Sequence, residues 1–204
     1  LSWFDSNALA ATVPAALVSM TLTAFFLGVA SYVAVFVAQH YGAREHPRIG
    51  GAVWQGFYIL LPALLFVIPI SIYIEPIFAW IGHDPILQTM EVSYARILIL
   101  AIPVIIVSAS VAGFFSGIGR TSVVMWSNLL ITVLNLLLDY GLIFGNWGLP
   151  RLGVTGAALA TVISLVVGTL VQLWVFVSPG YREVYNTWIL WRFDLILFKR
   201  LLRF

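Results

Sequence analysis

The chain has 204 residues, 62% apolar and 9% charged, where a soluble globular domain carries about 25% charged residues. Mean hydropathy is +1.04 and the formal net charge is +2. This is the composition of an integral membrane protein, and a charge that small argues against a nucleic-acid binder. With no cysteine in the chain, disulfides and thiolate metal sites are excluded.

Residues 1–7 form a polar lead-in in which Asp5, Ser6 and Asn7 are all good helix N-cap types. The first residue is Leu1, no signal-peptide pattern is present, and the chain stops at Phe204 within a basic amphipathic stretch. These features read as an internal piece of a longer protein. The first apolar run, 8–38, carries no charge and exceeds the roughly 20 residues needed to span a bilayer. Pro14 is expected to kink its first turns, and Gly28 and Ala30 offer a small-residue face. A polar loop, 39–48, follows. The second span is 49–74, with Gln55 and Tyr58 as polar points and bends expected at Pro62 and Pro69. Glu75 and Pro76 close it, Trp80 suits a membrane interface, and Gly82 to Pro85 read as a turn before the next helix.

The third span is 92–116. Arg96 lies about one turn inside it, where it is expected to snorkel to the headgroups. Pro103 interrupts the middle, and Gly113 and Gly117 form a GxxxG pair. After a tight loop at Gly119 to Thr121, the fourth span runs over 122–144. The fifth, 154–177, opens with the small-residue stretch GVTGAALAT and ends at Ser178, Pro179 and Gly180. In the tail, 181–204, the segment 188–204 alternates apolar and basic residues as an interfacial helix does. Alternation of five spans puts the 39–48 loop, Arg120 and the tail on one side, with eight of the ten Lys and Arg residues. The positive-inside rule makes that side cytoplasmic and places residue 1 outside, which implies a preceding span.

The fourth span carries the chemistry. Asn128, Thr132, Asn135 and Asp139 recur at i, i+4, i+7 and i+11, within a stripe roughly 60° wide on an otherwise oily helix. Such a stripe faces other helices, a water-filled cavity or a substrate path rather than lipid. In this reading Asp139 is the one acidic residue deep in an apolar run. It lies about 8 Å from the outer helix end and Asn135 about 14 Å. A carboxyl at that depth needs a proton, water or a cation. Oxygen donors from Asp139, Asn135 and the hydroxyls of Thr132, Thr161 and Ser108 suit Na⁺, or Asp139 alone suits a proton. Gln55, Tyr58, Ser108, Asn128, Thr132 and Gln172 are candidate cavity-lining residues. His40, His46 and His83 lie in loops without metal-ligand spacing. Arg96 and Arg151 read as interfacial anchors.

Four stretches carry a resemblance. NLLLDYGLIFGNWGLPRLGVTGAALATVIS (135–164), ALAATVPAAL (8–17) with VAQHYGAR (37–44), AGFFSGIGRTSVVMWSNLL (112–130) and KRLLRF (199–204) stand in the order and spacing found in the multidrug and toxic compound extrusion (MATE) transporters. The chain resembles helices two to six of that family's first lobe, with the link toward the second. The resemblance implies an all-α fold of twelve helices in two lobes. Of these, 1–180 is a partial first lobe and 181–204 a cytoplasmic amphipathic linker; the first helix and second lobe lie outside the chain. It implies a secondary antiporter in the plasma or inner membrane, exporting amphipathic or cationic drugs against H⁺ or Na⁺, without cofactor, partnered by lipid rather than nucleic acid. Within the family the Asn-x-x-x-Asp pair of helix five, here Asn135 and Asp139, is implicated in cation coupling, with an acidic partner on helix one.

Two other transport or membrane roles compete. A lipid-linked oligosaccharide flippase of the wider superfamily needs basic residues in its cavity, and these spans are nearly free of them. A non-transporting scaffold leaves the polar stripe without a purpose. Intramembrane proteases are disfavoured: an aspartyl type needs two buried carboxyls, and Gly113-Phe-Phe-Ser-Gly117 has the wrong spacing for a rhomboid nucleophile.

Overall fold

The computed structural model describes residues 6–188 and 193–202. Among these, all regular structure is helical. Helices α1 (Ser6–Ser31) and α2 (Val33–Gly42) make one long span, interrupted at Tyr32, whose N–H bonds back three residues to Val29 O at 3.2 Å. Pro14 sits inside α1 without breaking it. A 3₁₀ turn, His46–Arg48, leads into α3 (Ile49–Tyr58) and α4 (Leu60–Ile72), which together make the second span. The break at Ile59 falls where Pro62 has no N–H to return to the Tyr58 carbonyl. Pro69, by contrast, stays within α4.

A short helix, α5 (Glu75–Ile81), follows, and Gly82 ends it in the left-handed region at φ +80°. Asp84 then caps α6 (Pro85–Leu100), its carboxyl accepting from Ile86 N at 2.9 Å. Helix α7 (Ile102–Gly117) continues α6 with a bend of 40° at Ala101. Pro103 causes the bend by leaving the Ile99 carbonyl without its helical donor. This pair is the expected third span, beginning at Pro85 rather than residue 92. Helices α8 (Thr121–Phe144) and α9 (Gly153–Phe176) are uninterrupted. The described residues thus hold four membrane-length apolar spans, five with the bent pair.

Packing follows the small residues. Helix α7 lies on α2 through the GxxxG pair: a Cβ on Gly117 would stand 2.6 Å from Val37 Cγ1, and one on Gly113 3.0 Å from Ala34 N. Helix α9 lies on α8 in the same way, with Gly156 against the Leu142 carbonyl and Gly168 against Ile131. Helix α1 packs on α6 and α7, and α6 on α9. Phe114, Phe115 and Phe176 are buried at the centre; the rings of Phe114 and Phe176 meet edge to face at 4.9 Å. Helix α8 stands at the edge of the bundle, with Leu129, Val133, Leu136 and Leu137 exposed.

The tail differs from the expected interfacial helix. It holds α10 (Pro179–Tyr185) and α11 (Leu195–Leu202), and the latter starts only after Asp194, whose Oδ1 accepts from Ile196 N and Leu197 N at 2.9 and 3.0 Å. The rest of the expected 188–204 helix, 189–192 and 203–204, lies outside the described residues. The tail is fastened to α3: Trp54 Nε1 donates to Thr187 O at 2.8 Å, and Asp194 N to Gln55 Oε1 at 3.2 Å. The Asn186 carbonyl passes so close to Gly50 that a Cβ there would stand 2.5 Å from it. Arg96 also fastens elements together. Its Nε donates to the Ser71 carbonyl at 2.9 Å and its Nη2 to Glu75 at 3.1 Å, so it ties α6 to α4 and α5.

Gly156→Val forces the α8–α9 backbones apart and is expected to destabilise the full-length parent by about 1–3 kcal/mol, seen as a lower melting temperature in detergent. Gly28→Ala is the control: nothing lies within 4 Å of its Cβ position, so the melting temperature should hold or rise.

Candidate functional site

The polar stripe of α8 is divided by its surroundings. Asn128 and Thr132 are exposed, and Thr132 Oγ1 turns back on the Asn128 carbonyl at 2.9 Å, as helical threonines commonly do. Asn135 and Asp139 are half-buried where α8 meets its neighbours. Asn135 Nδ2 donates to Thr161 Oγ1 of α9 at 3.4 Å, while the Thr161 hydroxyl donates to the Ala157 carbonyl at 3.0 Å. That arrangement fixes the amide's orientation. Its carbonyl oxygen makes no hydrogen bond among the described residues, one turn from the carboxyl of Asp139. Asp139 Oδ1 is buried and likewise without a hydrogen-bond partner among the described residues. Tyr94 of α6 lies within electrostatic reach of Asp139.

The structure therefore joins Asn135 of α8 to Thr161 of α9, with Asp139 one turn along α8 from Asn135. All are hard donors, and a carboxylate with an amide carbonyl and a hydroxyl suits a proton or an alkali cation. Thr161 also lines a recess of about 200 Å³ with Ala16, Ser19, Thr23, Ala101 and Ile105, next to the α6–α7 bend. Ser19 and Thr23 were not singled out by sequence. Both hydroxyls bond their own helix, to Ala15 O and Ser19 O, and nothing in their spacing marks them.

The other sequence candidates lie elsewhere. Gln172 is 1% exposed and pairs with Ser108, whose Oγ donates to its Oε1 at 3.4 Å across α7 and α9. Gln172 Nε2 is buried without a partner among the described residues. Gln55 and Tyr58 serve the tail: Gln55 accepts from Asp194 N, and the Tyr58 ring stands edge-on to Phe193 at 5.2 Å. Gln55 also lines a recess at the basic end of the bundle with His40, Arg48 and Asp194. There Glu45 accepts from His40 Nδ1 at 2.9 Å with Arg48 at 3.3 Å. The hydrogen bond from His40 first, then the charge of Arg48, holds the Glu45 carboxyl below its ordinary range.

One expectation is corrected. Asp139 is not the sole carboxyl buried in a span. Glu91, in the second turn of α6, is fully buried and bonded to His83 at 2.7 Å. The sequence hid it because the third span was drawn from its first uncharged residue, and its partner stands eight positions away across a turn.

A family model, MatE, matches residues 1–141. The chain belongs to the MATE family. Among curated relatives, a probable multidrug resistance protein NorM of Synechocystis sp. is 30% identical over 166 residues, covering 79% of this chain and 35% of the relative. The probable multidrug resistance protein YoeA of Bacillus subtilis is 32% identical over 173 residues, 84% of this chain and 37% of the relative. The chain thus spans about a third of the length of the relatives it matches. Among solved structures, a MATE crystallised in complex with MaL6 matches with a TM-score of 0.81 at 25% identity, covering 99% of this chain and 44% of that one. An inward-facing and an outward-facing MATE family transporter of the MOP superfamily both match with a TM-score of 0.76, at 25% and 26% identity; they cover 97% and 99% of this chain and 43% and 44% of theirs. The bundle is accordingly part of the MATE fold, in a multi-pass membrane protein, and the family is one of transporters rather than enzymes.

Gln172 gives a check on this geometry. Replacing both partners of the Ser108–Gln172 bond by apolar side chains, Ser108→Ala with Gln172→Met, also removes the buried and unpartnered Nε2, and is expected to leave the stability of the parent unchanged or raised. A loss above about 1 kcal/mol on thermal unfolding would show that Gln172 Nε2 has a partner.

Proposed function

We propose that this chain is the first-lobe portion of a secondary antiporter that exports amphipathic or cationic compounds in exchange for H⁺ or Na⁺. One observation carries the reading: a buried, unpartnered carboxyl oxygen on Asp139, one turn from an amide that Thr161 holds in place. The names of the relatives, multidrug resistance proteins, support the substrate class. The concentration of basic residues at one end supports a cytoplasmic placement of the 39–48 loop and tail. The bacterial relatives support the inner membrane.

In this mechanism the ion binds the carboxyl of Asp139 with the Asn135 carbonyl and neutralises a charge that lipid and helix do not tolerate. Thr161 carries the change to α9, because its hydroxyl is shared between Asn135 and the α9 backbone. The recess beside Thr161 borders the α6–α7 bend, so the ion's arrival is felt where the lobe is most deformable. Exchange of faces is a movement of this lobe against the rest of the parent. The equal match to inward-facing and outward-facing structures fits a lobe that keeps its shape between them. A flippase reading gains no support: Arg96, a cation within the bent third span, is occupied by Ser71 and Glu75.

Drug export by the full-length parent, in vesicles with imposed proton or sodium gradients, tests this. Asp139→Asn is expected to cut gradient-driven export by about tenfold or more at unchanged abundance, and the gradient that drives the wild type names the ion. Undiminished export under both gradients would make Asp139 structural.

A further inference from the structure

The mechanism above leaves one buried ionisable pair unused. Glu91 is 0% exposed; its Oε1 lies 2.7 Å from His83 Nδ1, and its Oε2 is buried with no hydrogen-bond partner among the described residues. The His83 side chain is 34% exposed, so the pair runs from solvent into the lobe. It stands at the end opposite the basic loops, on the turn where Gly82 joins α5 to α6. We propose that His83 and Glu91 form a proton-binding site at this end of the lobe, separate from Asp139.

The surroundings define the charge. Helices α1, α4, α7 and α9 all pack on α6, and in their described ranges none carries a titratable side chain. Helix α5 brings Glu75, which is held by Arg96 of α6. Tyr94, also on α6, lies toward Asp139 of α8. Asp84 caps α6 through Ile86 N, and Arg151 lies across a cleft from Thr89 and Ser93. For Glu91 the ionic partner within reach is His83. With a neutral imidazole donating Nδ1–H to Oε1, the pair holds one buried negative charge and Oε2 stays bare. One proton makes the pair neutral overall, as imidazolium with carboxylate or imidazole with carboxylic acid, and it belongs to the pair rather than to either group. The exposed part of His83 is its route from solvent. Occupancy is therefore set by the pH on that side, which the charge bias makes the outside. The bond ties the turn at Gly82 to α6, so the proton also fastens the α5–α6 junction.

The test is ¹⁵N-histidine NMR of the full-length parent in lipid nanodiscs, with His83 assigned by its loss in His83→Gln. In the wild type the His83 signals are expected to change as the pH is stepped down and the pair takes up its proton. Glu91→Gln should displace that response toward lower pH, because the carboxylate that favours the proton is gone, and Asp139→Asn should leave it in place. Should Glu91→Gln fail to fold, Glu91→Asp keeps the charge but withdraws it from the imidazole, and a smaller displacement is expected. A His83 curve that superimposes on wild type in the Glu91 variant, or signals that do not move with pH, would overturn the proposal.

Discussion

A carboxyl on a membrane helix is the constraint on which the rest of this bundle depends. Asp139 cannot face hydrocarbon uncompensated, so α8 must turn its polar stripe toward a partner helix or water. The structure meets this by close approach of backbones. Gly156 lets the Leu142 carbonyl come within contact, and Gly168 receives Ile131. Those contacts set the rotation of α8 against α9 and bring Thr161 to Asn135. The hydroxyl and amide that result are weak as a stability element, about 0.6 kcal/mol for such a bond in a membrane. Their value lies in holding the Asn135 amide in place one turn from Asp139 on the same helix.

The remainder of the lobe is built to be stiff around one bend. Helix α7 is locked to α2 through Gly113 and Gly117, and the tail is locked to α3 at Gly50, Trp54 and Gln55. Arg96 fastens α6 to α4 and α5. Against these fixed points stands the 40° bend at Ala101, with a recess beside it that Thr161 lines.

Much of this was legible in the sequence, and the reasons are specific. Long apolar runs between charged loops marked all five spans, since backbone in lipid must be helical. Pro103 marked the bend because a missing N–H acts locally. Asn135 and Asp139 were legible as neighbours on one face of α8 because helical period alone puts them one turn apart. What escaped depended on distance along the chain. Gln55 and Asp194 meet across 139 positions, and no local pattern announces that bond. Helices α5 and α10, seven residues each, are too short for a hydropathy window, although Pro76 and Pro179 stand in their first turns. Glu91 escaped because only its meeting with His83 allows a carboxyl to be buried there.

The claim that the α8 stripe faces water or an ion path, rather than lipid, is open to one direct measurement. This chain has no cysteine, so single cysteines are informative in a cysteine-free form of the full-length parent. Asp139→Cys and Leu137→Cys lie at similar depth on opposite faces of α8, and Leu137 is exposed on the outer surface of the bundle. Labelling both in native membranes with a charged, water-soluble maleimide and with an apolar one compares the two faces. The expected result is that the charged reagent modifies position 139 and spares 137, which only the apolar reagent reaches. Equal exclusion of the charged reagent from both positions, or modification of 137 alone, would contradict the placement of Asp139 on an aqueous path.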